Sequence, residues 1–289
     1  MSGTSRPVFE LTKPLPDLVR VPLRAVAQSF ESFGLRYFLV GAAAREIILE
    51  SVFGRPAGRS TRDLDFGVAL SNWEEFETLR VALLKTGNFE ETSTAQRLLY
   101  RYSPEVRIKI DLIPFGGIEE ADSSIAWPPK KDVVMSVAGF EEALESAVLV
   151  RIANDFLLPV ASLPGLIILK LFAWVDRKHE RRDAPDILTI LSEYIEAGNE
   201  DRLFERDLAL FEAAGFDVVR ASAFMLGKDA RFAAHQQTRA KLEELLNDNA
   251  LMEQLLNQMV QAGGRSDEAF AQRCESLLEN FRKGFLNHS

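Results

Sequence analysis

Two aspartates separated by one residue, Asp63 and Asp65, stand in the segment DLDF. Polar and apolar residues alternate there, which predicts a β-strand with both carboxylates on the same face. Carboxylates held side by side repel each other unless a cation lies between them, and their oxygens suit a hard divalent ion. The spacing therefore predicts a site for Mg²⁺ or Mn²⁺ at Asp63 and Asp65.

A glycine turn precedes this pair of acids. The apolar run 38–40 stops at Gly41, and apolar residues follow with helical spacing from Ala42 onward. The unpaired N–H groups at the start of a helix bind anions, above all phosphate. A phosphate turn beside a carboxylate metal site indicates metal-assisted phosphoryl or nucleotidyl transfer.

A third acid, Asp111, is the one carboxylate in the apolar stretch RIKIDLIPF. Burying an unpaired carboxylate costs several kcal/mol, so Asp111 needs a partner. Two partners are open: a metal ion shared with the first pair, or a cation such as Lys109 or a nearby arginine. The presence of Asp63 and Asp65 in the same chain favours the metal.

Cations and further acids follow in a stretch of helical pattern that we expect to run from Ser162 to about Arg181. Lys170 lies within its apolar face, where a lysine either extends toward solvent or points its ammonium into a cleft. The basic segment 177–182 is either a solvated helix end or a binding site for a polyanion, and the two interpretations are compatible. Asp183 and Asp186 suit the start of the next helix, and a place beside the active site is equally open.

These motifs together resemble the nucleotidyltransferase superfamily that includes DNA polymerase beta. A hydrophobic residue, Gly41, a spacer, the Asp-x-Asp pair and a later aspartate on a strand reproduce its signature. The segment LPGLIILKLFAWVDRKHERRDAPDILTIL is similar to the lysine helix and Arg-Asp-x-x-Asp segment of the AbiEii/AbiGii branch. That branch supplies the toxins of type IV toxin–antitoxin systems, and the resemblance covers residues 38–191.

The resemblance implies transfer of a nucleoside monophosphate from an NTP to a hydroxyl. Asp63, Asp65 and Asp111 would bind the metal, and Lys170 would offset charge on the β- and γ-phosphates. Asp183 and Asp186 would lie near the active site without binding the metal. The residues expected around the nucleotide are Gly41, Ala42, Ala43, Arg45, Thr61, Lys170 and Arg177. Because Ala42 stands where the superfamily has glycine or serine, its backbone N–H and Arg45 would replace the missing hydroxyl.

The branch also implies an acceptor and a partner, namely a tRNA 3′ end and a cognate antitoxin protein. Three alternatives remain open at this point. The acceptor is a small molecule, as in antibiotic nucleotidyltransferases; or the chain is a non-catalytic nucleotide-binding module; or the NTP donates its γ-phosphate instead.

Composition limits the other classes of function. The 289 residues carry a net charge of −9, and the acidity is spread over both halves, which argues against strong non-specific nucleic-acid binding. A single cysteine, Cys274, and three scattered histidines favour neither a disulfide nor a zinc motif. We find no signal-peptide pattern and no apolar run of membrane length, so we expect a soluble cytoplasmic protein without membrane contact.

The strand and helix patterns around these residues predict an α+β fold. A nucleotidyltransferase domain with a mixed sheet and flanking helices is expected over residues 1–161, followed by a helical domain over 162–289. The role of residues 187–289 is not indicated by any motif.

Local patterns add detail to this fold. Helices are expected at 17–33 and 73–85, and a hairpin is expected from strands 98–102 and 106–113. Residues 1–16 are expected as a loose lead-in and 114–129 as a long connection. Pro159 predicts an edge strand at 156–160. Breaks between C-terminal helices are expected at Gly198, Gly215, Gly227 and the pair Gly263-Gly264.

Overall fold

A mixed eight-stranded sheet forms the N-terminal part of the protein in a computed structural model that describes residues 6–58, 61–264 and 267–287. The strands are β1 (Val8–Glu10), β2 (Tyr37–Val40), β3 (Leu64–Ala69), β4 (Phe89–Glu91), β5 (Arg97–Arg101), β6 (Arg107–Phe115), β7 (Ser124–Ala126), β8 (Val134–Ser136), β9 (Val148–Ala153) and β10 (Phe156–Val160). Their order in the large sheet is β1-β9-β10-β2-β3-β6-β5-β4, while β7 and β8 form a separate ribbon. Strand β3 is antiparallel to β2 and parallel to β6, and β6 is antiparallel to β5.

Helices flank this sheet and make up the whole C-terminal part. They are α1 (Asp17–Ser32), α2 (Gly41–Glu46), α3 (Trp73–Lys85), α4 (Phe140–Glu145), α5 (Leu163–Asp176), α6 (Ala184–Glu193), α7 (Leu208–Ala213), α8 (Val218–Ala233), α9 (Gln236–Asn247), α10 (Asn249–Ala262) and α11 (Glu268–Leu286). A π-helical turn, Ile47–Val52, continues α2 directly. The predicted α+β class, the mixed sheet and the helical C-terminal part are confirmed. In the described part of the chain, no helix combines the length and apolar character needed to cross a membrane.

Helix α5 joins the two parts of the molecule. It contacts α2 and α4 beside the sheet, and it contacts α6 and α8 of the helical part. The buried apolar residues accordingly form one continuous cluster. The domain boundary near residue 161 stays a prediction.

Two local helical predictions and the hairpin are confirmed with small shifts of their ends. Helix α3 begins after Asn72, whose side chain accepts a hydrogen bond from the Glu75 N–H at 2.9 Å. Strands β5 and β6 pair with Arg101 opposite Arg107, and β6 continues to Phe115, beyond the expected end of the strand. Helix α5 ends at Asp176, so the basic segment 177–182 follows the helix and does not belong to it.

Three expectations about strands are wrong. Part of the expected lead-in forms β1, which pairs with β9 and whose Phe9 ring packs against Phe53; residues 1–5 lie outside the described part. The expected long connection contains β7. Strand β10 lies inside the sheet despite Pro159, because its pairing with β2 involves only Val160 and leaves the strand unpaired on that side at the proline.

The expected break at Gly227 is also wrong, since this residue lies inside α8. A β-carbon there would collide with the backbone of Phe281 and Phe285 on α11, and one at Gly284 would collide with the backbone of Phe224. Both glycines therefore serve a close approach of α8 and α11. Gly198, Gly215 and the pair Gly263-Gly264 lie between helices as expected.

Candidate active site

One row of residues across the centre of the sheet forms the core of the site. Val40 on β2 lies opposite Asp65 on β3, Asp65 lies opposite Asp111 on β6, and Asp111 lies opposite Arg97 on β5. Directly opposed residues in neighbouring strands share a face of the sheet. The two aspartates are therefore adjacent because β3 and β6 are parallel and in this register.

Asp65 lies in a strongly anionic environment. Burial raises the pKa of its carboxyl to about 7, Asp111 and Asp63 act in the same direction, and Lys170 and Arg177 oppose them. Gly41, which has a φ of +71°, lies directly against this carboxylate. A β-carbon at Gly41 would collide with Asp65, so the glycine is required both for its backbone conformation and for the space that it leaves.

Asp63 lies immediately before β3, at the rim of the site. Its N–H donates a hydrogen bond to Thr61 Oγ1 at 3.1 Å, which fixes the turn into the strand. Its carboxylate lies 3.5 Å from Lys109 Nζ, and the two side chains are 37% and 48% exposed. A pair this exposed and this long holds the carboxylate only weakly, so Asp63 is accessible to a ligand.

Asp111 has a much tighter partner, Arg97. The guanidinium donates two hydrogen bonds, from Nε to Oδ1 at 2.7 Å and from Nη2 to Oδ2 at 2.6 Å. Of the two partners open for Asp111 in the sequence, the structure thus shows an arginine. The pattern could have identified it, because counting back along the predicted hairpin from its turn places residue 97 opposite residue 111.

Lys170 is held inside the protein by two acids. Its ammonium lies 3.0 Å from Asp183 Oδ1 and 2.7 Å from Asp186 Oδ2, and both aspartate side chains are 1% exposed. Although Asp183 occupies the position before α6, its side chain makes no capping hydrogen bond. Both acids hold cations, Asp186 also lies in the first turn of α6, and their place beside the active site stays a prediction.

Arg177 is the more accessible cation of this group, with 42% of its side chain exposed. It donates to Asp183 through Nε at 2.7 Å and through Nη2 at 2.9 Å. Burial alone would raise the pKa of Asp183, but the bonds from Arg177 and Lys170 hold that pKa below its usual value. The acid is thus ionised and holds both cations in place.

Arg45 differs from its expected role as a phosphate ligand. Its side chain is 1% exposed, forms an ion pair with Asp186, and donates from Nε to the Ala57 carbonyl at 2.7 Å. A guanidinium enclosed in this way is a structural cation that links α2 to α6. Arg45 has this role because the helical phase of α2 directs residue 45 toward α6.

The other residues expected around the nucleotide stay predictions. Gly41 and Ala42 are partly exposed at the start of α2, whereas Ala43 is buried. The Thr61 N–H donates to Glu46 Oε2 at 3.2 Å, which ties the loop before Asp63 to α2. A nucleotide at this turn would contact the backbone of Gly41 and Ala42.

Asp63, Asp65 and Asp111 carry the oxygen donors that a hard divalent cation takes, and burial together with the charges of the other two acids already destabilises the negative charge of Asp65. Across residues 6–58, 61–264 and 267–287, however, no three acidic, histidine or cysteine side chains stand in ligand geometry for one ion. At Asp111, both carboxylate oxygens accept hydrogen bonds from Arg97.

Comparison with solved structures returns nucleotidyltransferases of low similarity. A nucleotidyltransferase-like antigen from Paracoccidioides brasiliensis is 16% identical, with 69% of this chain and 93% of that chain covered and a TM-score of 0.41. The lincosamide adenylyltransferase LnuA is 18% identical, with coverages of 59% and 94% and a TM-score of 0.35. The Thermotoga maritima CCA-adding enzyme is 10% identical, with coverages of 95% and 80% and a TM-score of 0.26. At these scores the similarities say nothing about the substrate.

A match to a family model identifies the family of this chain. A search among curated proteins gave no significant match. The family model described as "Nucleotidyl transferase AbiEii toxin, Type IV TA system" matches residues 24–280, which include the whole carboxylate row and the network of Lys170 and Arg177. The chain therefore belongs to the AbiEii family and is a nucleotidyltransferase.

Proposed function

We propose that the protein transfers a nucleoside monophosphate from an NTP to the 3′-terminal hydroxyl of a tRNA, with Mg²⁺ or Mn²⁺, as the toxin of a type IV toxin–antitoxin pair. A cognate antitoxin protein is the expected partner. Transfer of a nucleoside monophosphate is the activity of the family; the metal, the acceptor and the partner are the proposed details.

The observation that carries the proposal is the juxtaposition of Asp65 and Asp111 on parallel strands with Gly41 against Asp65. A stability-driven sequence would not retain acids of like charge at this buried position, whereas a cation-binding site requires them. Lys170 and Arg177 supply positive charge that acts on this position, since both lower the pKa of Asp65.

Different residues bind the phosphates of the NTP and the metal. The backbone of Gly41 and Ala42 receives a phosphate of the NTP, and the exposed Arg177 faces its β- and γ-phosphates. Lys170, fixed by Asp183 and Asp186, adds a constant positive charge behind them. Asp63, Asp65 and Asp111 would hold the metal, which when bound stabilises negative charge on the α-phosphate.

The transfer itself balances as a substitution at phosphorus. The acceptor hydroxyl oxygen forms a bond to the α-phosphorus, the bond from that phosphorus to the bridging oxygen breaks, and pyrophosphate leaves. The hydroxyl proton is released to solvent. Fixed cations opposite the leaving group favour this step because negative charge accumulates on pyrophosphate.

The basic segment supports a polyanionic acceptor. Arg181 and Arg182 project beyond α5, where Arg181 donates to Gln261 at 3.0 Å and the Arg182 side chain is 64% exposed. Neither touches the carboxylate row. They therefore suit phosphates of an acceptor chain that extends away from the NTP.

Incubation of the protein with each α-labelled NTP, Mg²⁺ and total RNA tests the proposal. We expect label on tRNA, its loss with Asp65→Asn, and a steep decrease with salt that becomes shallower in Arg181→Ala/Arg182→Ala. Arg220→Ala/Lys283→Ala removes the same charge from exposed positions elsewhere and serves as the control. α-Label on a small molecule would contradict the tRNA acceptor. A parallel incubation with γ-labelled NTP that labels the product, where the α-labelled NTP does not, would contradict nucleotidyl transfer and indicate phosphate transfer.

A further inference from the structure

Arg97 covers the carboxylate that the metal site needs from β6. Both oxygens of Asp111 accept hydrogen bonds from one guanidinium, at 2.7 and 2.6 Å, in the fork geometry that arginine forms with carboxylates. The Asp111 side chain is 14% exposed and that of Arg97 is 30% exposed. The pair is thus partly shielded from solvent, which strengthens it relative to a surface ion pair.

The charges of Asp63 and Asp65 also act on Arg97. Hydrogen bonding to Asp111 raises the pKa of the guanidinium, and the charges of Asp63 and Asp65 act in the same direction. The guanidinium is therefore a permanent positive charge inside the carboxylate cluster, contributed by β5 through its register with β6.

A guanidinium and a divalent ion compete for the same oxygens. A metal ligand directs an oxygen lone pair at the ion, and in the observed geometry both oxygens of Asp111 face Arg97. A cation this close to a divalent ion also repels it, and the repulsion increases as water leaves the site. A divalent ion that uses the same lone pairs of Asp111 would therefore have to displace the guanidinium.

We propose that Arg97 is a positioning residue that competes with the divalent ion for Asp111, so that Asp111 joins the metal site only after the guanidinium has moved away. The inference rests on the proposed metal dependence. Its consequence is that the wild-type chain binds a divalent ion weakly without NTP, and that removal of Arg97 strengthens this binding.

Titration of the full-length protein with Mn²⁺ in the absence of NTP tests the inference, with free Mn²⁺ measured by electron paramagnetic resonance. We expect Arg97→Gln to bind Mn²⁺ about tenfold more tightly than the wild type, the equivalent of about 1.4 kcal/mol. Arg97→Lys, which retains the charge but loses the fork, should lie between the two.

Two controls separate competition from a general effect of charge. Arg101 lies on the same strand and pairs with Glu90 at 3.5 Å, so Arg101→Gln removes one positive charge without releasing Asp111 and should leave Mn²⁺ affinity unchanged. Arg97→Gln should increase Mn²⁺ affinity much less in the Asp111→Asn background than in the wild type, since only relief of repulsion is left to act there. Retained circular dichroism of each variant establishes that it is folded, and Arg97→Lys carries the test if Arg97→Gln is not.

Two results would overturn the inference, and they have different meanings. If wild type and Arg97→Gln bind Mn²⁺ equally without NTP while the wild type binds it with NTP, Arg97 is a fixed structural partner and the metal site stands. If neither binds Mn²⁺ with or without NTP, the proposed metal dependence fails as well.

Discussion

At the scale of single residues, Asp65 is a carboxylate whose ionised form is destabilised by the fold. It lies opposite Asp111, against Gly41, with its pKa raised to about 7 by burial and by its acidic neighbours. Because the folded pKa exceeds the ordinary value of 3.8, the folded state retains its proton where the unfolded state has lost it. Without a metal, stability contributed by the protonated acid is present below about pH 4 and is lost as the pH rises through 7.

We therefore expect Asp65→Asn to abolish nucleotidyl transfer while stabilising the metal-free protein at pH 8 by roughly 2 kcal/mol. The gain should disappear near pH 4, and urea unfolding with a chelator present measures it. Asp63→Asn is the matched control, because Asp63 is 37% exposed and its removal should change stability little. A destabilised Asp65→Asn protein at pH 8 would identify Asp65 as a structural acid.

At the scale of elements, the start of α6 organises the cationic side of the site. Asp183 and Asp186 lie one turn apart, and Asp186 pairs with Arg45 of α2 as well as with Lys170 of α5. One buried carboxylate thus fixes three helices around the carboxylate row. Breaking a buried ion pair from one side leaves charges without compensation, which costs more than the pair contributes.

We expect Asp186→Asn to lower the free energy of unfolding by about 3 kcal/mol, and to weaken NTP binding because Lys170 is no longer fixed. Thermal unfolding and calorimetry with NTP measure the two effects. The control is Asp201→Asn, since Asp201 is exposed at the start of a short helical segment, Arg202–Arg206. Unchanged stability of Asp186→Asn would show that Asp183 alone holds Lys170.

At the scale of the whole molecule, the sheet and the helical part share one apolar core, and α8 closes it by packing tightly on α11. Gly227 and Gly284 allow this approach, since a β-carbon at either would meet the opposite backbone. Backbone cannot give way as a flexible side chain can. The crossing is therefore more sensitive to an added methyl group than an ordinary core position.

We expect Gly227→Ala to reduce stability by about 2 kcal/mol even though alanine favours a helix, because α8 and α11 must separate. Denaturant unfolding measures the loss, and the nucleotidyl transfer rate at low temperature should change little. Lys228→Ala, at an exposed position of the same helix, is the control. A stabilised Gly227→Ala protein would mean that the crossing relaxes without cost.

The sequence by itself determined the local elements and the acids that they carry. Period-two alternation placed Asp65 on a strand and Asp63 next to it, helical spacing placed α3, and two short strand patterns placed the hairpin that carries Asp111. These features depend on residues a few positions apart. Chain-local patterns therefore suffice for them.

Tertiary structure alone decided which cations face Asp183 and Asp186. The pairing of Arg45 with Asp186, and of Lys170 with both Asp183 and Asp186, joins helices that are remote in sequence, and no period of the chain encodes it. Likewise β10 lies inside the sheet because β2 pairs only with Val160, a fact of sheet order that Pro159 does not reveal. Ion pairs and strand neighbours are set by packing between elements, and each element's own pattern records only which of its faces is buried.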